Sequence, residues 1–220
     1  MSYYTKPMNN RNSTEWQMGN FRVPKEIDKL TLADFEGTPY LQVASDWLNE
    51  FPAKVGPKGL YVYGSQSGTG KSSFCSMLCR ELIKRGKTRY NCCFLPADDL
   101  FEKLRAICLD HNSPGLTQTQ WFHSLMQMDV IIFDDLGVER MSSFIVTKYM
   151  QLMTALWGED RVIMVTSKFE LGDLLNRADA DVDRCILESI GSRMQAMVAG
   201  VHFDKIRADH RLTNGPVKLI

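Results

Sequence analysis

Residues 61–74, YVYGSQSGTGKSSF, constrain this chain more than any other stretch. An apolar run breaks into glycines and small polar residues, then one lysine, two serines and apolar residues again. A backbone kept bare of side chains beside a single positive charge suits a phosphate chain. Amide N–H groups of a glycine-rich loop converge on the oxygens, the lysine neutralises them, and the next hydroxyl holds Mg²⁺. Gly68, Gly70, Lys71 and Ser72 fill the pattern G-x-x-x-x-G-K-[ST]. The first position departs from it, because Ser65 stands there and Gly64 lies one residue early. Either the loop carries an extra residue or Ser65 tolerates the turn. The flanks agree with the motif: GLYVY reads as a short buried strand, and KSSFCSMLCRELIKRG as a helix closed by Gly86. The expected nucleotide-binding set is therefore Gly64, Ser65, Ser67, Gly68, Thr69, Gly70, Lys71, Ser72 and Ser73.

A second segment supplies the chemistry that a bound phosphate chain needs. In DVIIFDDLG, the apolar residues 130–133 read as a strand buried on both faces, which delivers Asp134 and Asp135 at its carboxyl end. Ligands gather at that end of an open parallel sheet. Asp134 can complete a Mg²⁺ shell together with Ser72, while Asp135 can orient or deprotonate an attacking water. A further strand, RVIMVTS, ends in Thr166 and Ser167, polar tips able to hydrogen-bond that water or the terminal phosphate. Between these strands lie helical patterns at residues 35–51, after Asp98 and Asp99, in TQTQWFHSLMQM, and from about 142 to 157. The order is strand, phosphate loop, helix, strand, helix, acidic strand, helix, polar-tipped strand. No arginine-bearing lid or acceptor pocket of a small-molecule kinase is visible in it.

Composition narrows the class. With 220 residues and 44% hydrophobic content the chain suits one α/β domain with a short appendage. Lys plus Arg (26) equals Asp plus Glu (26), so nucleic acid contact has to come from a local patch. Cys75, Cys79, Cys92, Cys93, Cys108 and Cys185 form no C-x-x-C pair, and His111, His123, His202 and His210 have no metal-ligand spacing. Both patterns predict reduced thiols in a cytosolic protein without zinc. Neither a signal h-region nor a membrane-spanning apolar run is expected. Residues 1–30 read as a flexible N-terminal arm that is either a loose tail or a partner-binding segment anchored by Tyr3, Tyr4 and Trp16; residues 31–220 read as the core.

With RVPKEIDKLTLADFEG, GSQSGTGKSS, VIIFDDLGVER, VIMVTSKFEL and IGSRM in view, the chain resembles the DnaC/IstB branch of AAA+ ATPases. The resemblance covers about residues 22–211. It implies an α/β P-loop NTPase of the AAA+/ASCE type, a three-layer sandwich around a central parallel sheet, without a C-terminal helical lid. It also implies Mg²⁺-dependent hydrolysis of ATP to ADP. Lys71, Asp134, Asp135, a sensor at Thr166 or Ser167, and an arginine finger at Arg193 would carry that chemistry, with Ser72 and Asp134 on the metal. Such a finger works in trans, so self-assembly into a ring, spiral or filament follows from the resemblance. Three features depart from the family pattern: Ser189 stands where a second arginine is usual, Lys168 stands where asparagine follows the sensor strand, and the arm is short.

The implied partners are a replicative DNA helicase and single-stranded DNA, with no membrane. Candidate DNA contacts are Lys103, Arg105 and His111, with Trp121 and Phe122 just beyond as stacking or core residues. Two other roles share the core: a transposition helper that marks target DNA, and an adaptor in which nucleotide builds an assembly with little hydrolysis.

Overall fold

The computed structural model describes residues 23–25, 27–51, 56–85, 90–109, 118–139 and 141–203, without the side chains of residues 103, 104, 106–109 and 118–120. Strands β1 (Gly59–Tyr63), β2 (Cys92–Pro96), β3 (Val130–Leu136), β4 (Val162–Ser167) and β5 (Val198–His202) pair in parallel in the order β2-β3-β4-β1-β5. Parallel neighbours require crossovers, and helices make them. α1 (Pro39–Glu50) precedes β1, and the crossovers hold α2 (Lys71–Lys84), α3 (Ala97–Leu109), α4 (Gln118–Met126), α5 (Ser143–Gly158), α6 (Leu171–Asn176) and α7 (Arg184–Met197).

Strand alternation sorts the core into two layers. Register aligns Leu60, Met164, Ile132 and Phe94 across four strands on one face, where they meet α1 and α2. One residue on, Tyr61, Val165, Phe133 and Leu95 form a row on the opposite face against α3 to α7. Both faces are covered, which explains why the strands read as unbroken apolar runs. The result is the expected three-layer sandwich. β4 lies between β1 and β3, so the phosphate loop, the acidic pair and the polar strand tip leave the sheet side by side.

Three details differ from the sequence reading. The helix expected over residues 35–51 starts at Pro39, because Gly37 takes φ +73° and proline is preorganised for a first helical turn; a 3₁₀ turn, Leu32–Phe35, precedes it. β3 continues through both aspartates to Leu136. β5 was not anticipated: its five residues carry only two buried valines, Val198 and Val201, too few for a strand signal. Residues 1–22, with Tyr3, Tyr4 and Trp16, and the cap at Gly86 lie outside the described residues. No helix among the described residues is long and apolar enough to cross a membrane.

Candidate nucleotide site

The phosphate loop is built from the sheet upward. After β1, the Gly64 amide donates to the Ser167 carbonyl at 3.2 Å, and the Phe203 amide donates to the Tyr63 carbonyl at 2.6 Å. A Cβ on Gly64 would sit 2.3 Å from the Phe203 carbonyl oxygen, so this glycine answers to the chain leaving β5. Ser65 is exposed and is not among the residues with positive φ, so it takes the motif's first position without strain. A serine is therefore compatible with that position. Gly68 and Gly70 do require their freedom, at φ +75° and +102°, and Gly70 caps α2. The α2 amino terminus thus points its unpaired amides and positive dipole end at the loop's concave side.

Lys71 is buried, and its Nζ donates to the carbonyls of Gly64 at 2.9 Å and Gln66 at 2.7 Å. The ammonium is therefore held in place by the loop it serves. Below the loop, Phe35, Tyr40, Phe74 and Phe203 form an aromatic cluster, with Tyr40 and Phe203 stacked at 4.1 Å between centroids. Phe203 escaped the sequence reading together with β5.

Opposite the loop, Thr166 organises the acids. Its hydroxyl donates to Asp134 Oδ1 at 2.7 Å and accepts the Asp135 amide at 2.9 Å. Asp134 is buried, which raises its carboxyl pKa; hydrogen bonds from Ser72 and Thr166 pull it back, and the Asp135 charge pushes it up again. Plain alternation would turn Asp135 towards the α5 face with Phe133. Instead a register shift between Phe133 and Leu136 places Asp135 at φ +58°, exposed and lining the cleft. A strained backbone at a functional position is typical of such sites. Ser167, by contrast, is committed elsewhere, donating to the Leu136 carbonyl at 2.7 Å and accepting the Phe169 amide at 3.1 Å. Of the two strand-tip candidates, Thr166 faces the acids and Ser167 braces the sheet.

The cleft between loop and acids encloses about 580 Å³. Ser67, Gly68, Thr69, Gly70, Lys71, Ser72, Ser73, Asp134 and Asp135 all line it. Ile27 and Leu30 add apolar surface to its lining beside the charged Lys29 and Asp34, and the Leu30 side chain lies next to Gly70. That segment is pinned to α2: Arg80 Nε lies 2.9 Å from Asp28 Oδ1, and Arg80 Nη2 donates to the Leu30 carbonyl at 2.5 Å. Nothing in the sequence reading pointed to Arg80. The donor set fits Mg²⁺, which keeps several waters and needs one or two carboxylates plus substrate oxygens. Ser72 and Asp134 supply hard oxygens already within mutual reach. No cluster of three or more His, Cys, Asp or Glu residues that could hold a metal occurs among the described residues.

Residues 58–211 match the model of the IstB-like ATP binding proteins. This chain belongs to that family. Within it, 104 residues are 22% identical to the replicative helicase loader DnaC of Escherichia coli K12, covering 47% of this chain and 39% of that relative; DnaC of Shigella flexneri matches to the same extent. The match thus spans about two fifths of the length of these relatives. Among solved structures, DnaI superposes with a TM-score of 0.67 at 22% identity over 84% of this chain and 96% of that one. The DnaC helicase loader follows with 0.65 at 19% identity over 82% and 100%. AMPPCP-bound DnaA from Aquifex aeolicus gives 0.56 at 19% identity over 92% and 52%. The fold of this IstB-like protein is that of the AAA+ P-loop proteins.

Of the remaining expected residues, Arg193 and Arg105 are not among those that line the cleft. Arg193, on α7, donates through Nη1 to the Ser189 carbonyl at 3.0 Å, and its guanidinium lies 5.9 Å from the centroid of the exposed Trp157 ring. It does not line its own chain's site. Arg105 is exposed on α3, whereas the Lys103 side chain and His111 lie outside the described residues. Trp121 is 2% exposed and belongs to the core, which removes it as a stacking platform. Cys75, Cys79 and Cys92 are buried free thiols, Cys93 is half-buried and Cys185 is exposed. Burial raises the pKa values of Cys75 and Cys79, so both are inert as nucleophiles.

Proposed function

We propose that this protein is a Mg²⁺-dependent ATPase that loads a replicative DNA helicase, assembling with single-stranded DNA and with further copies of itself. The single observation that carries the ATPase part is the Thr166 clamp, which fixes a buried carboxylate and a cleft-facing one opposite the phosphate loop. The similarity to DnaC and the DnaI fold supports the loader part.

In this reading the base of ATP rests against Ile27 and Leu30, and the loop amides and Lys71 take the phosphates. Mg²⁺, held by Ser72 and Asp134, would screen charge on the phosphate oxygens. Asp135 accepts a proton from the water that attacks the terminal phosphorus, while the bond to the β-phosphate oxygen breaks and ADP leaves. Arg193 acts on the next subunit's nucleotide, where a guanidinium in trans is worth on the order of 10³–10⁵ in rate in other NTPases. Its distance from its own cleft agrees with that role.

The test is co-purification with the host's replicative helicase in the presence of ATP and single-stranded DNA. A complex that forms with wild type and fails with Lys71→Ala is expected. Neither complex nor helicase loading would remove the loader assignment. The family match favours a second reading, a transposition helper; stimulation of a transposase in place of helicase capture would select it.

A further inference from the structure

β4 runs between β1, which feeds the phosphate loop, and β3, which carries the acidic pair. Lys168 is the first residue after β4. It leaves the sheet where the two halves of the site adjoin, since Ser167 accepts from the Gly64 amide on one side and pairs with Leu136 on the other. Met164 and Thr166 of the strand lie on the face that carries Asp134 and the start of α2, and Lys168 continues from them in a bend. It is half-buried and lines the same cleft as Lys71, Ser72, Asp134 and Asp135. None of the ion pairs among the described residues engages it.

Lys29, Lys71 and Lys168 all line this cleft, and the last two differ in commitment. The Lys71 ammonium is anchored on the Gly64 and Gln66 carbonyls at the base of the loop. Lys168 stands on the acid side, where the last phosphate of a nucleoside triphosphate would bring negative charge next to Asp134 and Asp135. An ion pair with the exposed Asp135 is worth little in solvent. A desolvated contact with a phosphate oxygen is worth more, and a flexible four-carbon stem lets the ammonium choose it. The geometry points to Lys168 as a second cation, supplied in cis, that contacts the terminal phosphate and makes the site favour triphosphate over diphosphate. This rests on the nucleotide-site reading above.

Calorimetric titration of ADP and of AMPPCP, each with Mg²⁺, into wild type, Lys168→Met, Lys168→Gln and Lys168→Arg tests it. Losing a charge-assisted hydrogen bond predicts that the Met and Gln variants bind AMPPCP about tenfold or more weakly, with ADP affinity within about twofold of wild type. The Arg variant is expected to recover most of the loss. Equal changes for both nucleotides, or none, with a wild type that binds both, would overturn the role of Lys168 and leave the nucleotide site standing. A wild type that binds neither would overturn both.

Discussion

Asp134 and Asp135 are adjacent in sequence and opposite in circumstance. Asp135 occupies left-handed backbone, which asparagine also tolerates, so Asp135→Asn removes the base while keeping the turn. Turnover is expected to fall by about 10²–10⁴ with ATP affinity nearly unchanged, measured by phosphate release and by titration. Asp134 makes a different prediction. Burial raises its pKa in the folded chain above the unfolded value, so the folded state holds that proton more tightly. The charged form costs stability at pH above the raised value, and the cost fades as pH falls through it towards the ordinary aspartate range. Asp134→Asn should therefore be more stable than wild type at neutral pH without nucleotide, the gap closing in acid. Denaturant unfolding across pH measures it, and a gap that widens in acid would contradict the assignment. The residue types of this pair and a division of labour between them were legible in VIIFDDLG, but the geometry that separates them was not. It depends on a bulge and on the Thr166 hydroxyl 31 residues away, which no local pattern announces.

At the scale of elements, the phosphate loop is held from beneath by β5. The Phe203 carbonyl presses on Gly64, and the Phe203 ring completes the aromatic cluster. Gly64→Ala forces a side-chain carbon into backbone that has no rotamer to yield, with an expected cost of about 3 kcal/mol in urea unfolding. Ser65→Gly, at the motif's own glycine position, is expected to leave nucleotide affinity unchanged, since Ser65 is already unstrained. The contrast tests whether Gly64 belongs to the sheet or to the ligand. Strand, loop and helix around Lys71 were readable because apolar runs and glycines mark them directly. β5 was not, because a five-residue edge strand earns its place through pairing with β1, a long-range contact absent from its own pattern.

For the whole molecule, the sandwich puts the cleft at one end of the sheet and Arg193 on α7, clear of that cleft. If the guanidinium serves a neighbour, two inactive variants complement each other. Arg193→Ala keeps an intact cleft, and Asp135→Asn keeps an intact arginine, so mixing them places wild-type halves across some interfaces. ATPase activity of the mixture is expected to exceed the sum of the separate variants several-fold, and wild-type turnover per chain is expected to rise with protein concentration. Strictly additive activity would place Arg193 outside the chemistry. The central claim is narrower than any of this, and one structure tests it most directly: a crystal of the wild-type chain grown with AMPPCP and Mg²⁺. The account predicts the phosphates along the amides of residues 67–72, with the metal between Ser72 and Asp134. An empty cleft, or a nucleotide seated elsewhere on the chain, would contradict it.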